Sequence, residues 1–335
     1  MEKRRKGSVL APFRRFHSSK SDIGQLGSVS RWLFASRSVI LIISTQAAII
    51  AGLLSIIAGG FNALYFVLVL AGFLIAHATS NLMNDYFGYF RGHDTKESPR
   101  IRYTIHPIAD KVASKSQLAC AILILIVMGL LIAAYFMFVR GYIALAFLAI
   151  GAFFLLMYDA FPITLKSIGL GEISAFIVWG PLMIGSGFYL ITGVLSIAPF
   201  LIAVPYGLGV MSILVAKHID QIGFDKSIKQ RTLPVVMGEN AARKLNIATI
   251  GLMYVSTALL VAFGSVTPFL LLVFLNIPMT AAALRRLSEK RPKMPPKGYA
   301  GWPLWYHRAS LVHNRMFGWL FIFGLAAGAV VPYLV

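Results

Sequence analysis

Residues 62–84 read NALYFVLVLAGFLIAHATSNLMN, an apolar run that becomes polar over its last turns and is followed at once by Asp85. About 20 apolar residues suffice to cross the hydrocarbon core of a bilayer as a helix. The run carries no ionised side chain before Asp85. The stretch therefore predicts a membrane-spanning helix that presents polar groups at one end.

Eight other stretches share this apolar character: 38–58, 117–138, 142–158, 170–192, 195–216, 245–264, 266–284 and 316–335. The composition agrees, with 58% hydrophobic residues and a mean hydropathy of +0.77, above that of ordinary globular domains. We therefore predict an all-α polytopic membrane protein with nine transmembrane helices. Residues 32–335 are expected to form one transmembrane domain, and residues 1–31 a basic, flexible N-terminal tail.

The distribution of Lys and Arg predicts the orientation. Short loops rich in these residues remain in the cytoplasm. With a cytoplasmic N-terminus, nine crossings place all 31 Lys and Arg residues except Arg140 inside, in segments 1–37, 86–116, 159–169, 217–244 and 285–315. The C-terminus is then on the opposite side of the cell membrane. The net charge of +19 reflects this topology and attraction to anionic lipids, and dispersed loop charges argue against nucleic-acid binding.

Two groups of acidic residues follow predicted spans on the cytoplasmic side. In the first, Asn81, Asn84 and Asp85 share one helical face. Asp94 lies nine residues further on, and we expect Gly88 and Gly92 to unwind the helix so that both carboxylates reach one site. Arg100 and Arg102 follow shortly after.

The second group contains Asp220 and Asp225, followed by Lys229 and Arg231. Residues five apart point about 140° from each other on a helix, so we expect a local distortion, which Gly223 would permit. Carboxylate and amide oxygens suit Mg²⁺, which is usually held by one or two carboxylates together with substrate phosphates. Nearby Lys and Arg would neutralise the rest of a diphosphate. Both groups therefore predict a Mg²⁺-diphosphate site.

The motifs carry a resemblance to a known family. Asn-x-x-Asn-Asp followed by Gly-x-Asp, then Asp with Thr-Leu-Pro-Val seven residues on, resembles the UbiA superfamily of intramembrane prenyltransferases. Ile168-Gly169-Leu170-Gly171-Glu172 and Gly180-Pro181 are similar to its branch that prenylates 1,4-dihydroxy-2-naphthoate in menaquinone biosynthesis. The likeness runs from about residue 35 to the C-terminus. It implies a UbiA-type nine-helix architecture.

The resemblance implies a Mg²⁺-dependent transfer of an isoprenoid chain from an allylic prenyl diphosphate to an aromatic acceptor. Asp85, Asp94, Asp220 and Asp225 would be the catalytic, metal-binding acids. The substrate-binding residues would be Asn81, Asn84, Arg100, Arg102, Tyr158, Lys229 and Arg231. The isoprenoid tail would lie between helices, open to membrane lipids, and no protein partner is implied.

Several alternatives remain open at the level of sequence. Gly88 stands where the family usually has an Asp, which would weaken Mg²⁺ binding, change the donor or mark an inactive relative. Tyr158 is either a ring that stabilises a carbocation or an interfacial tyrosine. Glu172 either pairs with Lys166 or contacts the acceptor. The acceptor could instead be 4-hydroxybenzoate, another phenol, a phosphosugar or a haem, and a non-catalytic or transport role is the competing function.

Overall fold

The computed structural model describes residues 27–161, 163–299 and 301–331, and within them all regular secondary structure is helical. Residues 1–26 of the predicted tail lie outside this range. The α-helices, numbered in chain order, are α1 Ser28–Ala35, α2 Ile42–Ile57, α3 Ala63–Phe90, α4 Pro99–Tyr103, α5 Lys115–Arg140, α6 Tyr142–Asp159, α7 Gly171–Ile177, α8 Met183–Thr192, α9 Ala198–Ile202, α10 Val204–Ser227, α11 Leu233–Met237, α12 Glu239–Ala262, α13 Ile277–Ser288 and α14 Tyr306–Val330.

Among the described residues, eight helical segments are long and apolar enough to cross a membrane. These are Ser38–Ile57, Ala63–Phe90, Lys115–Arg140, Tyr142–Asp159, Gly171–Thr192, Ala198–Ser227, Glu239–Ala262 and Pro268–Ser288. The predicted ninth span is also helical, as α14, but it begins ten residues earlier than expected, at Tyr306. Its first turns are polar, so the count of nine crossings stays a prediction.

The helices that carry the acidic motifs extend further than their apolar runs. The span predicted at 62–84 continues to Phe90 as α3, and the span predicted at 195–216 continues to Ser227 as α10. Polar residues continue these helices because their side chains find buried partners there, so the loss of hydrophobicity does not end the helix.

The helices differ strongly in how far the protein covers them. In the span Gly171–Thr192, 67% of the residues in its most apolar window are buried, against 6% for α5 and 11% for α6. The main hydrophobic core lies among α2, α8, α10, α12 and α14. The two helices α5 and α6 therefore form a thin outer wall that faces lipid.

The span Gly171–Thr192 contains a π-helical turn at Val178–Leu182, with Gly180 at φ −95° and ψ −107°. Pro181 removes a backbone donor there, which explains the irregular turn. A Cβ built on Gly180 would lie 2.7 Å from the Cα of Gly207 on α10. Two glycines thus allow close approach of the helices, which brings the N-terminal end of α7 against the polar end of α10.

Candidate active site

Asp85 lies at the centre of a buried ion cluster near the C-terminal end of α3. Its carboxylate is fully buried and forms salt bridges with the guanidinium groups of Arg37 and Arg100. Arg100 binds it through two nitrogens, with Nε 2.8 Å from Oδ1 and Nη2 2.5 Å from Oδ2. A carboxylate offers about four lone-pair sites. The two arginines therefore leave Asp85 roughly one site for a further ligand.

Arg37 joins this cluster from the segment before α2. Its backbone is left-handed, with φ +56°, a conformation that costs a non-glycine residue roughly 1–2 kcal/mol. Its guanidinium group donates to the carboxylate of Asp85 and, at 3.2 Å, to Oδ1 of Asn84. The buried ion pair offsets the backbone strain and fixes this segment against α3.

Asp94 reaches the same cluster from the loop after α3. The helix continues past Gly88 to Phe90, and the chain turns at Gly92, with φ +72°. Of the two glycines expected to end the helix, Gly92 does so and Gly88 does not. The amides of His93 and Asp94 then donate to the carbonyl of Gly88 at 2.9 and 3.3 Å. A Cβ on Gly88 would overlap the Asp94 carboxylate. The missing side chain at Gly88 thus makes room for the Asp94 carboxylate.

His106 orients Asp94. Ligand atoms of Asp85, Asp94 and His106 all lie within 4.8 Å of one another. The imidazole Nδ1 accepts hydrogen bonds from the amides of Ile108 and Ala109 at 3.3 and 3.2 Å. Nε2 then carries the proton and donates to Oδ2 of Asp94 at 3.2 Å. In this tautomer His106 is a hydrogen-bond donor, and the two carboxylates are the groups that could hold a metal ion.

Asn81 and Asn84 link the cluster to neighbouring elements. Asn81 Nδ2 donates to the carbonyl of Ser36 at 3.0 Å. Asn84 Nδ2 donates to Oδ2 of Asp159, a buried residue at the end of α6. The other oxygen of Asp159 lies 4.0 Å from Nζ of Lys166. Asp159, which the sequence analysis gave no role, therefore extends the charged cluster to α6.

Glu172 pairs with His218 and not with Lys166. Its Oε1 lies 2.6 Å from Nδ1 of His218, and both side chains are fully buried. Burial would lower the pKa of Lys166, but the carboxylates of Asp159 and Asp225 outweigh it and hold that pKa above its ordinary value. The Lys166 ammonium group is therefore charged at neutral pH.

The second acidic group is divided between two tasks. No distortion occurs between Asp220 and Asp225, because α10 is a continuous helix from Val204 to Ser227. Asp220 accepts the backbone amide of Tyr306 at 3.1 Å and that of His307 at 2.9 Å, one on each oxygen. It therefore caps the first turn of α14, where the helix dipole favours a carboxylate.

Asp225 faces a different set of groups. It is 2% exposed. Its Oδ2 accepts from the hydroxyl of Thr232 at 3.1 Å, and Nε2 of Gln230 lies 3.5 Å from Oδ1. The positive charges of Lys166 and Lys217 act on it electrostatically. Asp225 is thus a buried anion between neutral donors and two ammonium groups.

Three of the four predicted diphosphate cations form no contact with this cluster in the part of the chain that the structure describes. Arg102, Lys229 and Arg231 have exposed side chains, which form no hydrogen bond or ion pair with any described residue. Of the cations predicted, only Arg100 is buried in the cluster. Arg37, Lys166 and Lys217 are the further cations that the structure brings to it.

A cavity of about 120 Å³ lies beside the ion cluster. Arg37, Asn81, Asn84 and Lys217 form its polar wall, and Tyr158 is also part of the lining. Arg37 and Lys217 contribute basic groups, and none of the described residues that line the cavity is acidic. This cavity therefore favours an anion. We call it the polar cavity.

A second, apolar cavity of about 650 Å³ continues from it between α3, α5, α6 and the kinked span Gly171–Thr192. The two cavities share His77, Ser80, Tyr158, Ala175 and Trp179. The far end of this apolar cavity is lined by Phe136 and Phe147 among others. The ring centroids of Phe147 and Tyr189 are 5.8 Å apart. We call this the tail cavity. Tyr158 stands where the two cavities meet.

His77 helps to fix that junction. Its Nδ1 lies 2.8 Å from the hydroxyl of Ser44, which accepts from the indole of Trp179 at 2.9 Å. The rings of His77 and Trp179 are 5.0 Å apart in an edge-to-face arrangement. A hydrogen-bonded chain therefore ties α2, α3 and the π-helical turn together.

Four residues of the site were not predicted from the sequence: Arg37, His106, Asp159 and Lys217. Their signals were present but weak. Asp159 directly follows Tyr158, Lys217 stands three residues before Asp220, and Arg37 is the last cation before the first apolar run. Each reaches the site through a contact between distant segments, which spacing along one helix does not reveal.

Buried ionised side chains beside a long apolar cavity, in a bundle of membrane-spanning helices, are typical of an intramembrane enzyme for lipid substrates. A sequence profile of the UbiA prenyltransferase family matches residues 46–307. The chain belongs to this family and is a prenyltransferase. The predicted family, the all-helical membrane fold and the enzyme class are thereby confirmed.

Two relatives show how far the similarity extends. The 1,4-dihydroxy-2-naphthoate octaprenyltransferase of Bacillus subtilis (strain 168) is 29% identical over 232 residues, which cover 69% of this chain and 73% of the relative. The UbiA prenyltransferase domain-containing protein 1 of Xenopus tropicalis is 24% identical over 297 residues, which cover 88% of this chain and 79% of the relative.

Solved structures share the fold. A UbiA homolog from Archaeoglobus fulgidus, bound to GPP and Mg²⁺, superposes with a TM-score of 0.60 at 17% identity and covers 88% of this chain and 99% of its own. The apo structure of a UbiA homolog from Aeropyrum pernix K1 superposes with a TM-score of 0.62 at 15% identity. The match covers 86% of this chain and 97% of the homolog.

Proposed function

We propose that this prenyltransferase moves the isoprenoid chain of an allylic prenyl diphosphate to 1,4-dihydroxy-2-naphthoate, with Mg²⁺ as its cofactor. The observation that carries the proposal is the junction at Tyr158, where a cation-lined polar cavity meets a long apolar cavity. A prenyl diphosphate has the same division, with an anionic head and an apolar tail. Its reactive C1–O bond would then lie at the junction.

The carboxylates of Asp85 and Asp94 fit one Mg²⁺ ion. They lie within 4.8 Å of each other. Among the described residues, Asp94 accepts hydrogen bonds from Ser98 and His106, so it keeps about two of its four lone-pair sites, and Asp85 keeps about one. Mg²⁺ is typically bound by one or two carboxylates together with phosphate oxygens. Bound there, the ion would neutralise the diphosphate and favour its departure.

The tail cavity fits an extended isoprenoid. Its lining on α3 runs from Leu68 to Ser80, which is about 18 Å at the helical rise of 1.5 Å per residue. An isoprene unit extends the chain by about 5 Å, since it adds four carbon–carbon bonds of about 1.5 Å in a zigzag. About four units would therefore be enclosed, and a longer tail would pass between α5 and α6 into the bilayer.

The protein groups at the junction suit a carbocation mechanism. As the C1–O bond breaks, the electron pair leaves with the diphosphate, whose negative charge Arg37 and Lys217 stabilise. The aromatic face of Tyr158 stabilises the allylic cation that remains. An electron-rich carbon of the acceptor ring forms the new C–C bond and then loses its proton, which restores aromaticity. The apolar walls exclude water, which would otherwise capture the cation.

Two similarities support the choice of substrates. A relative at 29% identity is a 1,4-dihydroxy-2-naphthoate octaprenyltransferase. A structural neighbour binds GPP and Mg²⁺. The first of these supports the acceptor, and the second supports the donor and the metal ion.

Prenyl transfer by the purified protein in detergent tests the proposal. The protein would receive 1,4-dihydroxy-2-naphthoate and a radiolabelled prenyl diphosphate, with Mg²⁺ or with EDTA. We expect a Mg²⁺-dependent lipid product, and at least a hundredfold less with Asp85→Asn, on the order of the loss when a preorganised charge is removed. If product forms with 4-hydroxybenzoate but not with 1,4-dihydroxy-2-naphthoate, the proposed acceptor is wrong. If no product forms with either acceptor, the proposed reaction is wrong.

A further inference from the structure

Lys217 brings its amino group to the polar cavity. It lies on α10, and its side chain lines the cavity with Arg37. Its ammonium group forms no hydrogen bond or ion pair with any described residue. A cation withdrawn from bulk water without a partner is costly. An anionic ligand in this cavity would remove that cost.

Neighbouring cations increase the need for an anion. The charges of Lys166 and Arg37 both act on Lys217. Arg37 already has Asp85 as a partner and Lys166 has Asp159. Lys217 has only the more distant fields of Asp159 and Asp225. Like charges at close range repel each other, so this side of the cavity favours a multiply charged anion.

The α10 side of the site does not fit a metal ion. Asp220 faces the start of α14, where it accepts two backbone amides and its Oδ1 also lies 3.9 Å from Nη1 of Arg291. Asp225 is the other carboxylate on this helix, and the charges of Lys166 and Lys217 act on it. Mg²⁺ requires several oxygen ligands in a near-octahedral arrangement. A single carboxylate beside two cations is a poor donor set for it.

We infer that the diphosphate is held by one metal ion on the Asp85–Asp94 side and directly by Lys217, assisted by Lys166, on the α10 side. This inference rests on the proposed function, and it names how the same site recognises its donor. The ammonium group takes the place that a second divalent ion would otherwise occupy. Lysine suits this task as a compact charge with three donors.

Binding of inorganic pyrophosphate tests the inference without prenyl transfer. Mn²⁺ serves as a paramagnetic probe for the metal, with protein in excess over pyrophosphate. We expect the electron paramagnetic resonance signal of isolated Mn²⁺ ions, one per bound pyrophosphate. A spin-coupled signal from two adjacent ions would overturn the inference.

Variants at Lys217 provide a second test of the inference, through their affinity for pyrophosphate. Lys217→Met should weaken pyrophosphate binding about tenfold or more at saturating Mn²⁺, as expected from the loss of one charge-assisted hydrogen bond. Lys217→Arg should recover part of the affinity. The matched control is Lys226→Met, because Lys226 is an exposed lysine on the same helix. Melting temperatures of all three variants check that they fold.

The outcomes separate this inference from the proposed function. Equal affinity in Lys217→Met and Lys226→Met would overturn the inference, even if the wild-type protein transfers prenyl groups. A single Mn²⁺ and a Lys217-dependent affinity would support it, even if no acceptor is prenylated. If the wild-type protein binds no pyrophosphate, the anion site itself is refuted.

Discussion

Asp220 and Asp225 show that the identity of a residue does not determine its task. Both are carboxylates near the end of α10, but Asp220 caps α14 through two backbone amides, whereas Asp225 lies among Thr232, Gln230 and ammonium charges. The difference follows from their spacing, because five residues on a continuous helix turn the second side chain about 140° from the first.

Conservative substitutions should separate the two tasks. Asp220→Asn removes one amide acceptor and the charge at the helix N-terminus, so we expect a loss of about 1–2 kcal/mol in stability with Mg²⁺-dependent activity largely kept. Asp225→Asn should keep the melting temperature but lower prenyl transfer roughly a hundredfold, because the buried charge that favours the ammonium forms of Lys166 and Lys217 is lost. Thermal unfolding and turnover of both variants check this. The reverse pattern would contradict the assignment.

At this scale the sequence predicted the cluster around Asp85 only in part. Asn81, Asn84 and Asp85 share a face of one helix, so spacing alone groups them. Arg37 and Asp159 come from other segments, and their positions depend on how helices pack. The spacing between Asp85 and Asp94 suggested an unwound helix at Gly88, but glycine serves there to leave space for a neighbouring carboxylate.

At the level of elements, the contact between the kinked span and α10 positions the site. A Cβ on Gly207 would lie 2.8 Å from the carbonyl oxygen of Phe176 and 2.9 Å from the Cα of Gly180. Separation of these helices would displace the side chains that α10 presents to the polar cavity. Backbone atoms cannot yield as a flexible side chain would, so this close approach requires glycine.

Gly207→Ala should therefore lower stability by about 1–3 kcal/mol, the usual cost of overpacking, and reduce prenyl transfer. The control is Gly223→Ala on the same helix, where a Cβ meets no atom within 4 Å. That change should be neutral or stabilise by up to about 1 kcal/mol, because alanine favours a helix. Chemical unfolding in detergent measures both variants. Equal effects at the two positions would refute the role of the glycine contact.

The far end of the tail cavity is a second element-level feature. Phe136 is 1% exposed and lines this end, 5.9 Å from the ring of Tyr65. We expect wild-type affinity for prenyl diphosphates to rise with length up to about four isoprene units and then level off, since the enclosed length is about 18 Å. Phe136→Ala should move this plateau to longer chains.

The matched control for this prediction is Phe138→Ala. Phe138 stands two residues further along α5 and is 89% exposed, outside the cavity. Competition between radiolabelled and unlabelled diphosphates of increasing chain length gives the plateau for each variant. An unchanged plateau in Phe136→Ala would show that the aromatic ring does not set the length.

Hydrophobic length predicted the positions of most spans, because apolar runs and membrane helices obey the same constraint. It failed at the ends of α3 and α10, where buried polar partners extend the helix beyond the apolar run. It also could not predict the π-helical turn at Gly180-Pro181. That turn arises at Pro181, and hydrophobic length takes no account of a single proline.

At the level of the whole molecule, we propose that residues 32–335 form one transmembrane domain with both acidic groups on the cytoplasmic side. The support is the distribution of Lys and Arg over alternate loops. The structure agrees in one respect, since Asp85, Asp159 and Asp225 all lie at the same end of the bundle.

Single cysteines test this orientation in a Cys120→Ser background, which removes the one native cysteine. A membrane-impermeant maleimide should label Leu195→Cys in intact cells and Lys96→Cys only after permeabilisation, because the positive-inside rule places them on opposite sides. Both positions are exposed in the structure. Labelling of Lys96→Cys in intact cells would invert the proposed topology.

The thin outer wall formed by α5 and α6 has a kinetic consequence. Only 6% and 11% of their most apolar windows are buried, and they enclose one side of the tail cavity. The donor would therefore reach the enzyme from within the lipid phase. The rate should then follow the mole fraction of donor in the micelle or membrane, and addition of inert detergent at constant bulk concentration should slow the reaction by surface dilution.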